Sequence, residues 1–324
     1  MAHELEIVNG KANMFSVKVQ PWHKLGKILD NPPTSEEAIV EAGLDWDVEK
    51  KQIYYKSPTE EFLPFTNRCA LVRNVDNKPL SIISNNYQPL QNKIAFEWFD
   101  PIVKEGNATY ETAGSLQGGK KIWILAKLKR DMEVVKGDTI RNYLLLCNGH
   151  DGVTGIMIQP TNIRVVCQNT LAQSLGSGLV STIWHHGDIS KKMEATKNLL
   201  GLAEKQFEQK EETYRAMADY PVSNIKIAEY VNYLIPNANE EATDRVKASV
   251  TAAQEKIWEL SETGMGTDIR GVKGTMYGLY NSAIEFGDFY MPRKVRDLGA
   301  YQIMGQGAQF KKRAYDKALE MMEA

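Results

Sequence analysis

The chain has 324 residues, 43% of them hydrophobic and 25% charged, and a formal net charge of -2. These are ordinary globular values, so they exclude a largely disordered or fibrous chain, and the length predicts one large domain or two modest ones. A charge this close to zero gives no overall attraction to nucleic acid, so any such binding must come from a local patch.

The cysteines and the hydropathy pattern indicate an intracellular protein. Cys69, Cys147 and Cys167 are far apart and form no Cys-x-x-Cys pair, so we expect neither a disulfide framework nor a Cys-rich zinc site, and a reducing compartment. Residues 1–6 lack the basic and apolar regions of a secretory signal. No apolar run approaches the roughly 18 residues that cross a bilayer. We therefore expect a cytoplasmic protein without a membrane partner.

The first third of the sequence predicts a strand, a helix, a meander and a second helix. Residues 15–19 alternate like a short strand. Thr34 and Glu37 form a capping box that begins a helix, and Gly43 is its expected stop. Apolar residues at helical spacing predict one further helix over 92–103. Between the two helices, three runs bounded by turn residues indicate an antiparallel meander: 53–55, 68–72 and 80–83.

The centre of the sequence predicts a sheet of consecutive hairpins, then a helix and one more strand. Gly118-Gly119 is the clearest hairpin turn. The helix is expected over 164–175, because the apolar period changes there, and the last strand is expected over 180–184. Four runs supply the strands of the hairpins: 110–116, 121–128, 140–147 and 153–158.

The remainder of the sequence predicts a series of helices: 191–218, 224–235, 240–262, 272–286 and 306–322. A strand-rich first half followed by a helix-rich second half is typical of an α+β protein. We therefore expect an antiparallel β-hairpin sheet with flanking helices, followed by a helical C-terminal region. The expected domains are a β-rich α+β core over 1–188 and a mainly helical region over 189–324.

A polar motif follows the predicted strand 140–147: Asn148-Gly149-His150-Asp151-Gly152. Two interpretations stay open. Glycines on both sides of a His-Asp pair could hold functional groups at a strand end, whereas Asn-Gly and Asp-Gly are also ordinary turn dipeptides. A metal site would need further ligands from His23, His185 or His186, and no spacing resembles a known zinc motif. We favour a structural turn and expect no metal.

Other catalytic patterns are weak. Nucleophilic catalysis would pair Cys147 or Cys167 with His150, but both cysteines have apolar neighbours, as inert buried cysteines do. No phosphate-binding loop occurs, and Gly264-x-Gly266 lacks the strand context of a dinucleotide fingerprint. We therefore expect no cofactor, and a binding protein is favoured over an enzyme. Mixed charges along the helices of 190–262 are typical of a solvated face, or could pair with another subunit.

The clearest local charge pattern is a basic strip on neighbouring predicted strands: Lys120, Lys121, Lys127, Lys129, Arg130 and Arg141, continued by Arg164 near Gln168 and Asn169. Trp123 and Tyr143 interleave with these cations. Such a strip could follow a phosphate backbone while bases stack on the rings. The alternative is a solvated sheet face with Trp123 in the core, because Asp131, Glu133 and Asp138 dilute the charge.

Seven blocks, in order over about residues 15 to 290, resemble the phage and plasmid family called domain of unknown function 932: Pro21-Trp22-His23-x-Leu25-Gly26, Ala42-Gly43-Leu44-Asp45-Trp46, Tyr87-Gln88-Pro89-Leu90-Gln91-Asn92, Gly118-Gly119-x-x-Ile122-Trp123, Asn148-Gly149-His150-Asp151-Gly152, Arg164-Val165-Val166-Cys167-Gln168-Asn169-Thr170-Leu171 and Gly274-Thr275-Met276-Tyr277. The resemblance implies carriage on phages, plasmids and integrated elements, and it implies no catalytic residues. The order of helix, hairpins and helix over 92–175 is also similar to the core of Rad52-like single-strand annealing proteins. Those proteins bind single strands in a basic groove and assemble into rings, so this fold-level analogy implies annealing.

Our leading hypothesis is a mobile-element protein that binds single-stranded DNA, promotes annealing or recombination, and forms a homo-oligomer such as a ring. Phosphate contacts are expected from Lys120, Lys121, Lys127, Lys129, Arg141 and Arg164, and stacking from Trp123 or Tyr143. The remaining expected contacts are Asn148, His150, Gln168 and Asn169. Two alternatives stay open. One is a metal-dependent or His-Asp enzyme acting on nucleic acid or nucleotides, and the other is an inhibitor or regulator that binds a host protein.

Overall fold

A computed structural model of the chain describes residues 5–18, 25–164, 170–171, 181–196, 199–291 and 306–323. Antiparallel sheets and a helical C-terminal region confirm the predicted α+β class. The chain forms two compact units. Unit 1 comprises residues 1–129, 143–160 and 177–200, and unit 2 comprises residues 130–142, 161–176 and 201–324. Each unit is described by itself below.

Unit 1 begins with short strands and a capped helix. Strands β1 (Ile7–Val8) and β2 (Lys11–Ala12) form a two-stranded sheet, and β3 (Met14–Val17) pairs in parallel with β4 (Lys27–Leu29). Helix α1 (Ser35–Glu41) begins at the predicted capping box, in which the Thr34 hydroxyl accepts from the Glu37 amide. Gly43, which has a positive φ of 66°, ends the helical segment of α1, as expected.

The predicted meander is a three-stranded antiparallel sheet. Its strands are β5 (Val48–Lys56), β6 (Phe62–Arg73) and β7 (Lys78–Ser84), in that order. The far part of the β5–β6 hairpin, residues 54–65, is paired in register but separated from the rest of the sheet by an irregularity after Gln52. Most side chains of that part are exposed, whereas Leu71 and Ile83 in the other part are buried.

The single helix predicted over 92–103 is two helices, α2 (Asn92–Glu97) and α3 (Asp100–Lys104). Pro101 is the physical reason. Proline has no amide hydrogen to continue the first helix, and its fixed φ suits the first turn of a new one. The two helices place Phe96 and Phe99 against Tyr110 of the next strand, with ring centroids 5.9 and 6.1 Å apart.

The larger sheet of unit 1 confirms the predicted hairpins. Its strands are β8 (Ala108–Leu116), β9 (Lys121–Leu128), β11 (Thr139–Gly149), β12 (Ile156–Arg164) and β14 (Ser181–Ile183), and its order is β4-β3-β8-β9-β11-β12-β14. A single 3-10 turn (Gln117–Gly119) joins β8 to β9. Strands β11 and β12 also contribute residues to unit 2. Helix α4 (Ile189–Ala195) follows β14, and the Trp98 indole donates to its Met193 carbonyl at 3.2 Å.

Unit 2 contains two short strands and most of the helices. Strand β10 (Met132–Glu133) pairs with the start of β11, and β13 (Thr170–Leu171) pairs with the end of β12. The helices are α5 (Leu199–Asp219), α6 (Asn224–Leu234), α7 (Asp244–Thr263), α8 (Met276–Glu285), a π-helical turn (Phe286–Tyr290) and α9 (Gln306–Glu323). Buried tyrosines form the centre of this unit, with the ring of Tyr214 about 6 Å from those of Tyr277, Tyr280 and Tyr315.

Two helix predictions need correction. The helix expected over 164–175 is wrong where it can be compared, since Arg164 ends β12 and Thr170–Leu171 is a strand, and the rest of that range lies outside the described residues. Backbone pairing overrides a weak helical period there. The helix expected over 191–218 is described as α4, which ends at Ala195, and α5, which begins at Leu199, and residues 197 and 198 lie outside the described residues. Among the described helices, none is long and apolar enough to cross a membrane.

Candidate nucleic-acid interface

The His-Asp turn, residues 148–152, is fixed to its neighbours in unit 1 by hydrogen bonds to its backbone. The His150 amide donates to the Lys120 carbonyl at 2.7 Å, and the Ser81 hydroxyl donates to the His150 carbonyl at 2.8 Å. The Tyr87 hydroxyl donates to the preceding carbonyl, also at 2.8 Å. The turn therefore joins the end of β11 to β7, to the start of β9 and to Tyr87.

The His150 side chain lies in the interior. Its ring is fully buried, and its Nε2 is 3.0 Å from Asn92 Oδ1. The Asn92 amide nitrogen donates to the Leu44 and Trp46 carbonyls, so its oxygen is the acceptor and the histidine Nε2 carries the proton. Burial lowers the pKa of His150 to about 3, so the ring is neutral at physiological pH.

The Asp151 carboxylate closes the turn. It accepts from the Val153 amide at 2.9 Å, and from the Thr154 amide and hydroxyl at 2.7 and 2.6 Å. Burial raises the pKa of Asp151, but these hydrogen bonds and the positive charge of Lys121 outweigh it and lower the pKa overall. An aspartate that accepts from the next residues is a standard turn device, which supports the structural interpretation of the motif.

Two predicted contacts need correction here. Asn148 is fully buried and donates to the Leu90 carbonyl at 3.0 Å. His150 is buried beside Trp46, with ring centroids 5.4 Å apart. Neither side chain can touch nucleic acid in this structure. They were expected at a loop surface because glycines flank His150 and Asp151, but the Leu90 carbonyl holds Asn148 inside, and Asn92 holds His150 inside.

The catalytic alternatives gain no support from the geometry. Within the described ranges, no group of three or more His, Cys, Asp and Glu side chains could hold a metal ion. Cys69 and Cys147 are both buried, and the apolar neighbours of Cys147 had predicted its burial. Cys167 and His23 lie outside the described residues.

The basic strip is partly assembled on β9. Alternate residues of a strand share a face, so Lys121, Trp123 and Lys127 lie on one side of it, and all three are half-buried. The register places Tyr143 opposite Lys127. Tyr143 is only 3% exposed, so it cannot stack on a base, and this prediction is corrected. Lys121 Nζ lies 3.9 Å from the Asp151 carboxylate.

The other members of the basic strip have different surroundings. Lys120 and Lys129 are exposed and form no ion pair with any described residue. In unit 2, Arg130 contacts the Glu208 and Glu211 carboxylates at 2.7 and 3.0 Å, which neutralises it. Arg141 is half-buried, and its Nε is buried without a hydrogen bond to any residue that the structure describes. The side chain of Arg164, and all of Gln168 and Asn169, lie outside the described residues.

An exposed aromatic surface elsewhere in unit 1 was missed from the sequence. The β5–β6 hairpin carries four exposed rings on residues 54–65, here called the aromatic hairpin: Tyr54, Tyr55, Phe62 and Phe65. Phe62 is 71% exposed, although phenylalanine is usually buried. The register pairs Tyr54 with Pro64 and Tyr55 with Leu63, so rings project from both faces of the hairpin. The signal was present in the runs Tyr54-Tyr55-Lys56 and Phe62-Leu63-Pro64-Phe65, which do not alternate between apolar and polar residues.

Cations lie on the same three-stranded sheet. Lys51 pairs with Glu49, and Lys56 pairs with Glu60 at 2.8 Å. Arg68 is exposed and forms no ion pair or hydrogen bond with any side chain that the structure describes. Its charge is therefore free to meet an anion.

A cleft opens beside the end of this sheet, entirely within unit 1. The cleft, here called the Trp184 cleft, has a volume of about 390 Å³, and its lining includes Ser84, Tyr87, Thr154, Trp184, His185 and His186. Trp184 is 57% exposed. A Cβ on Gly155 would lie 3.1 Å from both the Ile183 carbonyl and the Thr182 methyl carbon, so glycine permits the close approach of the strand that leads to Trp184.

His185 forms the most defined wall of the Trp184 cleft. It is 6% exposed and stacks on Tyr87, with ring centroids 4.6 Å apart. Its Nδ1 is 3.0 Å from the Gln88 carbonyl, whereas its Nε2 is buried without a well-formed hydrogen bond to any described group. Burial lowers the pKa of His185, and the nearby Gln88 and Thr154 carbonyls only partly oppose this. The ring is thus neutral and ordered, and its Nε2 lies inside the protein.

Comparison with known proteins gives one match. Neither the curated proteins nor the solved structures include a match to the chain, so the similarity to Rad52-like annealing proteins has no structural support. The model of one family matches residues 79–302, which include the His-Asp turn and the Trp184 cleft. The chain belongs to that family, described as Domain of unknown function (DUF932).

Proposed function

We propose that this protein binds single-stranded DNA through the aromatic hairpin and the adjoining face of the three-stranded sheet. The observation that carries the proposal is the set of exposed rings next to an unpaired cation, Arg68. Every base has a face on which an aromatic ring can stack, so such a surface binds single strands with little sequence preference. The paired bases of a duplex cannot stack in the same way.

The size of the electrostatic contribution follows from the ion pairs. Glu49 and Glu60 partly neutralise two of the lysines of the hairpin, so Arg68 and a small number of other cations remain for phosphate contacts. Each phosphate contact on a single strand changes the slope of log K against log salt by about −0.7. We therefore expect a shallow salt dependence, with stacking as the larger part of the affinity.

Promotion of annealing is the finer part of the proposal. Stacking on rings holds bases apart from one another and leaves their pairing edges free, and annealing requires no catalytic group. Several copies along one strand would raise the apparent affinity without any new contact, which is why a homo-oligomer belongs to the proposal. The resemblance to phage and plasmid proteins fits an activity used in recombination.

The proposal is tested by measuring the binding of a labelled single-stranded oligonucleotide by fluorescence anisotropy over a range of salt concentrations. We expect binding that weakens as salt rises, and weaker binding to a duplex of the same sequence. Tyr55→Ala combined with Phe65→Ala should reduce the affinity, whereas Ile225→Ala, which removes an exposed side chain in unit 2, should not. No binding at low salt would overturn the proposal.

A further inference from the structure

We propose that the Trp184 cleft receives a single nucleobase of the bound strand, with Arg68 holding the adjoining phosphate. This inference rests on the proposed function for the source of the ligand, but it concerns a separate surface with its own chemistry. The ligand class is a nucleotide: a planar ring that is linked to an anion.

The shape and the lining of the cleft suit a planar ring. Its volume of about 390 Å³ lies at the lower end of the roughly 300 to 1,000 Å³ typical of small-molecule sites. Trp184 supplies an exposed aromatic face, and the stacked pair of Tyr87 and His185 supplies an ordered wall. Enzymes and binding proteins that take up an unstacked base hold it between aromatic and apolar side chains in this way.

The cleft wall formed by His185 offers ring surface, because both ring nitrogens belong to the protein interior. Nδ1 lies 3.0 Å from the Gln88 carbonyl, and Nε2 is buried beside the Thr154 backbone. A ligand in the cleft therefore meets the stacked rings of Tyr87 and His185 and the exposed ring of Trp184. A nucleobase can stack on such rings, whereas a sugar phosphate without a base has no planar ring to do so.

The cations near the cleft suit the phosphate. Arg68 of β6 is paired in register with Ser84 of β7, which lines the cleft. Paired residues of neighbouring antiparallel strands lie roughly 5 Å apart, so the unpaired guanidinium is close enough to contact the phosphate of a base in the cleft. On the other side, Lys192 Nζ donates to the His186 carbonyl at 2.7 Å, so a second positive charge stands at the rim.

The test measures the binding of the four deoxynucleoside monophosphates to the full chain by titration calorimetry or NMR. Deoxyribose 5-phosphate serves as the base-free probe. We expect at least one nucleotide to bind at least ten-fold more tightly than this probe. Failure of all four to bind, or equal binding of the base-free probe, would overturn the inference.

Variants of His185 connect binding to the stacked wall of the cleft. His185→Asn keeps a donor near the Nδ1 position for the Gln88 carbonyl and removes the ring that stacks on Tyr87, so we expect at least a ten-fold loss of nucleotide affinity. His185→Phe keeps a ring at this position and should recover part of it. Trp258→Ala, which removes a half-buried tryptophan from a groove of unit 2, is the matched control and should change nothing. Unchanged affinity in the asparagine variant, with its unfolding curve intact, would refute the assignment.

The same measurements separate this inference from the proposed function. The double variant of Tyr55 and Phe65 should lose affinity for an oligonucleotide and keep its affinity for a mononucleotide. If the wild-type chain binds oligonucleotides but no mononucleotide, the cleft assignment is wrong and the hairpin proposal stands. If it binds mononucleotides and binds oligonucleotides no better, the cleft assignment stands and the hairpin proposal is wrong.

Discussion

Two histidines of unit 1 have similar burial and different surroundings. His150 and His185 are both largely buried, burial lowers the pKa of both, and each has a buried ring nitrogen without a well-formed hydrogen bond to any described residue. The ring of His150 is enclosed between Asn92 and Trp46, whereas His185 forms the wall of an open cleft. We therefore expect the polar motif around His150 to serve the fold and the cleft around His185 to bind a ligand.

This comparison predicts that the closed region contributes to stability and the open region to binding. The largest effect is expected from His150→Ala. The substitution leaves a cavity and an unpaired Asn92 oxygen, so we expect a loss of about 3 kcal/mol in the free energy of unfolding. Denaturant unfolding measures it. His185→Asn should cost less than about 1 kcal/mol, and equal losses in the two variants would remove the distinction between the regions.

The second largest effect on the free energy of unfolding is expected when the pH is lowered. The unfolded chain binds a proton at His150 near pH 6.5, whereas the folded chain does so only at about pH 3. The unfolded state therefore holds more protons in this window, and the stability falls as the pH falls through it. Between about pH 7 and about pH 4 we expect a loss of about 3 kcal/mol from this group. His150→Gln has no titrating ring at this position but keeps an amide near Asn92. Its free energy of unfolding should therefore fall by about 3 kcal/mol less than that of the wild-type chain over the same pH range. Parallel pH profiles would contradict the enclosed position of the ring.

The aromatic hairpin should contribute to binding without contributing to stability. Alanine in place of one stacking ring costs about 1 to 3 kcal/mol of binding to a single strand. We expect a loss in that range for Phe62→Ala, with the free energy of unfolding changed by less than about 0.5 kcal/mol, because the ring is 71% exposed. Anisotropy and denaturant unfolding on the same preparation test both parts. A large loss of stability would mean that the ring packs inside the protein instead.

The smallest effect distinguishes a free cation from a paired one. Arg68→Gln removes one phosphate contact, so the slope of log K against log salt should become shallower by about 0.7. Lys51→Gln is the matched control, since Lys51 already pairs with Glu49 on the same sheet. Its slope should change less. Equal changes in the two variants would show that the ion pairs do not decide which cations contact the strand.

Local signals predicted much of the fold. The capping box at Thr34, the turn-bounded meander and the Gly118-Gly119 turn each fix backbone geometry within a few residues, so the sequence is sufficient to predict them. The helix expected over 164–175 failed because Thr170–Leu171 pairs with residues of β12, and such tertiary pairing has no local signature. The domain boundary expected near residue 188 stays a prediction. Each compact unit is made of three separate stretches of the sequence, so a single boundary position cannot be compared with them directly.

The candidate site was less predictable. Alternation along β9 correctly places Lys121, Trp123 and Lys127 on one face, because a strand has a period of two. The period of two does not indicate whether other residues cover that face. Tyr143, which pairs with Lys127 on the neighbouring strand, is buried. In the same way, the runs around Tyr54 and Phe62 do not alternate between apolar and polar residues, but this signal alone does not place them beyond the part of the sheet that packs on the core.

The central claim is that single-stranded DNA contacts the aromatic hairpin and the Trp184 cleft. The most direct test is photocrosslinking of a short oligonucleotide that carries 5-iodouracil, followed by identification of the crosslinked peptides by mass spectrometry. We predict crosslinks to residues 54–65 and to Trp184, and their loss when unlabelled single strand competes. Crosslinks confined to the β9 face around Trp123, or to unit 2, would contradict the claim.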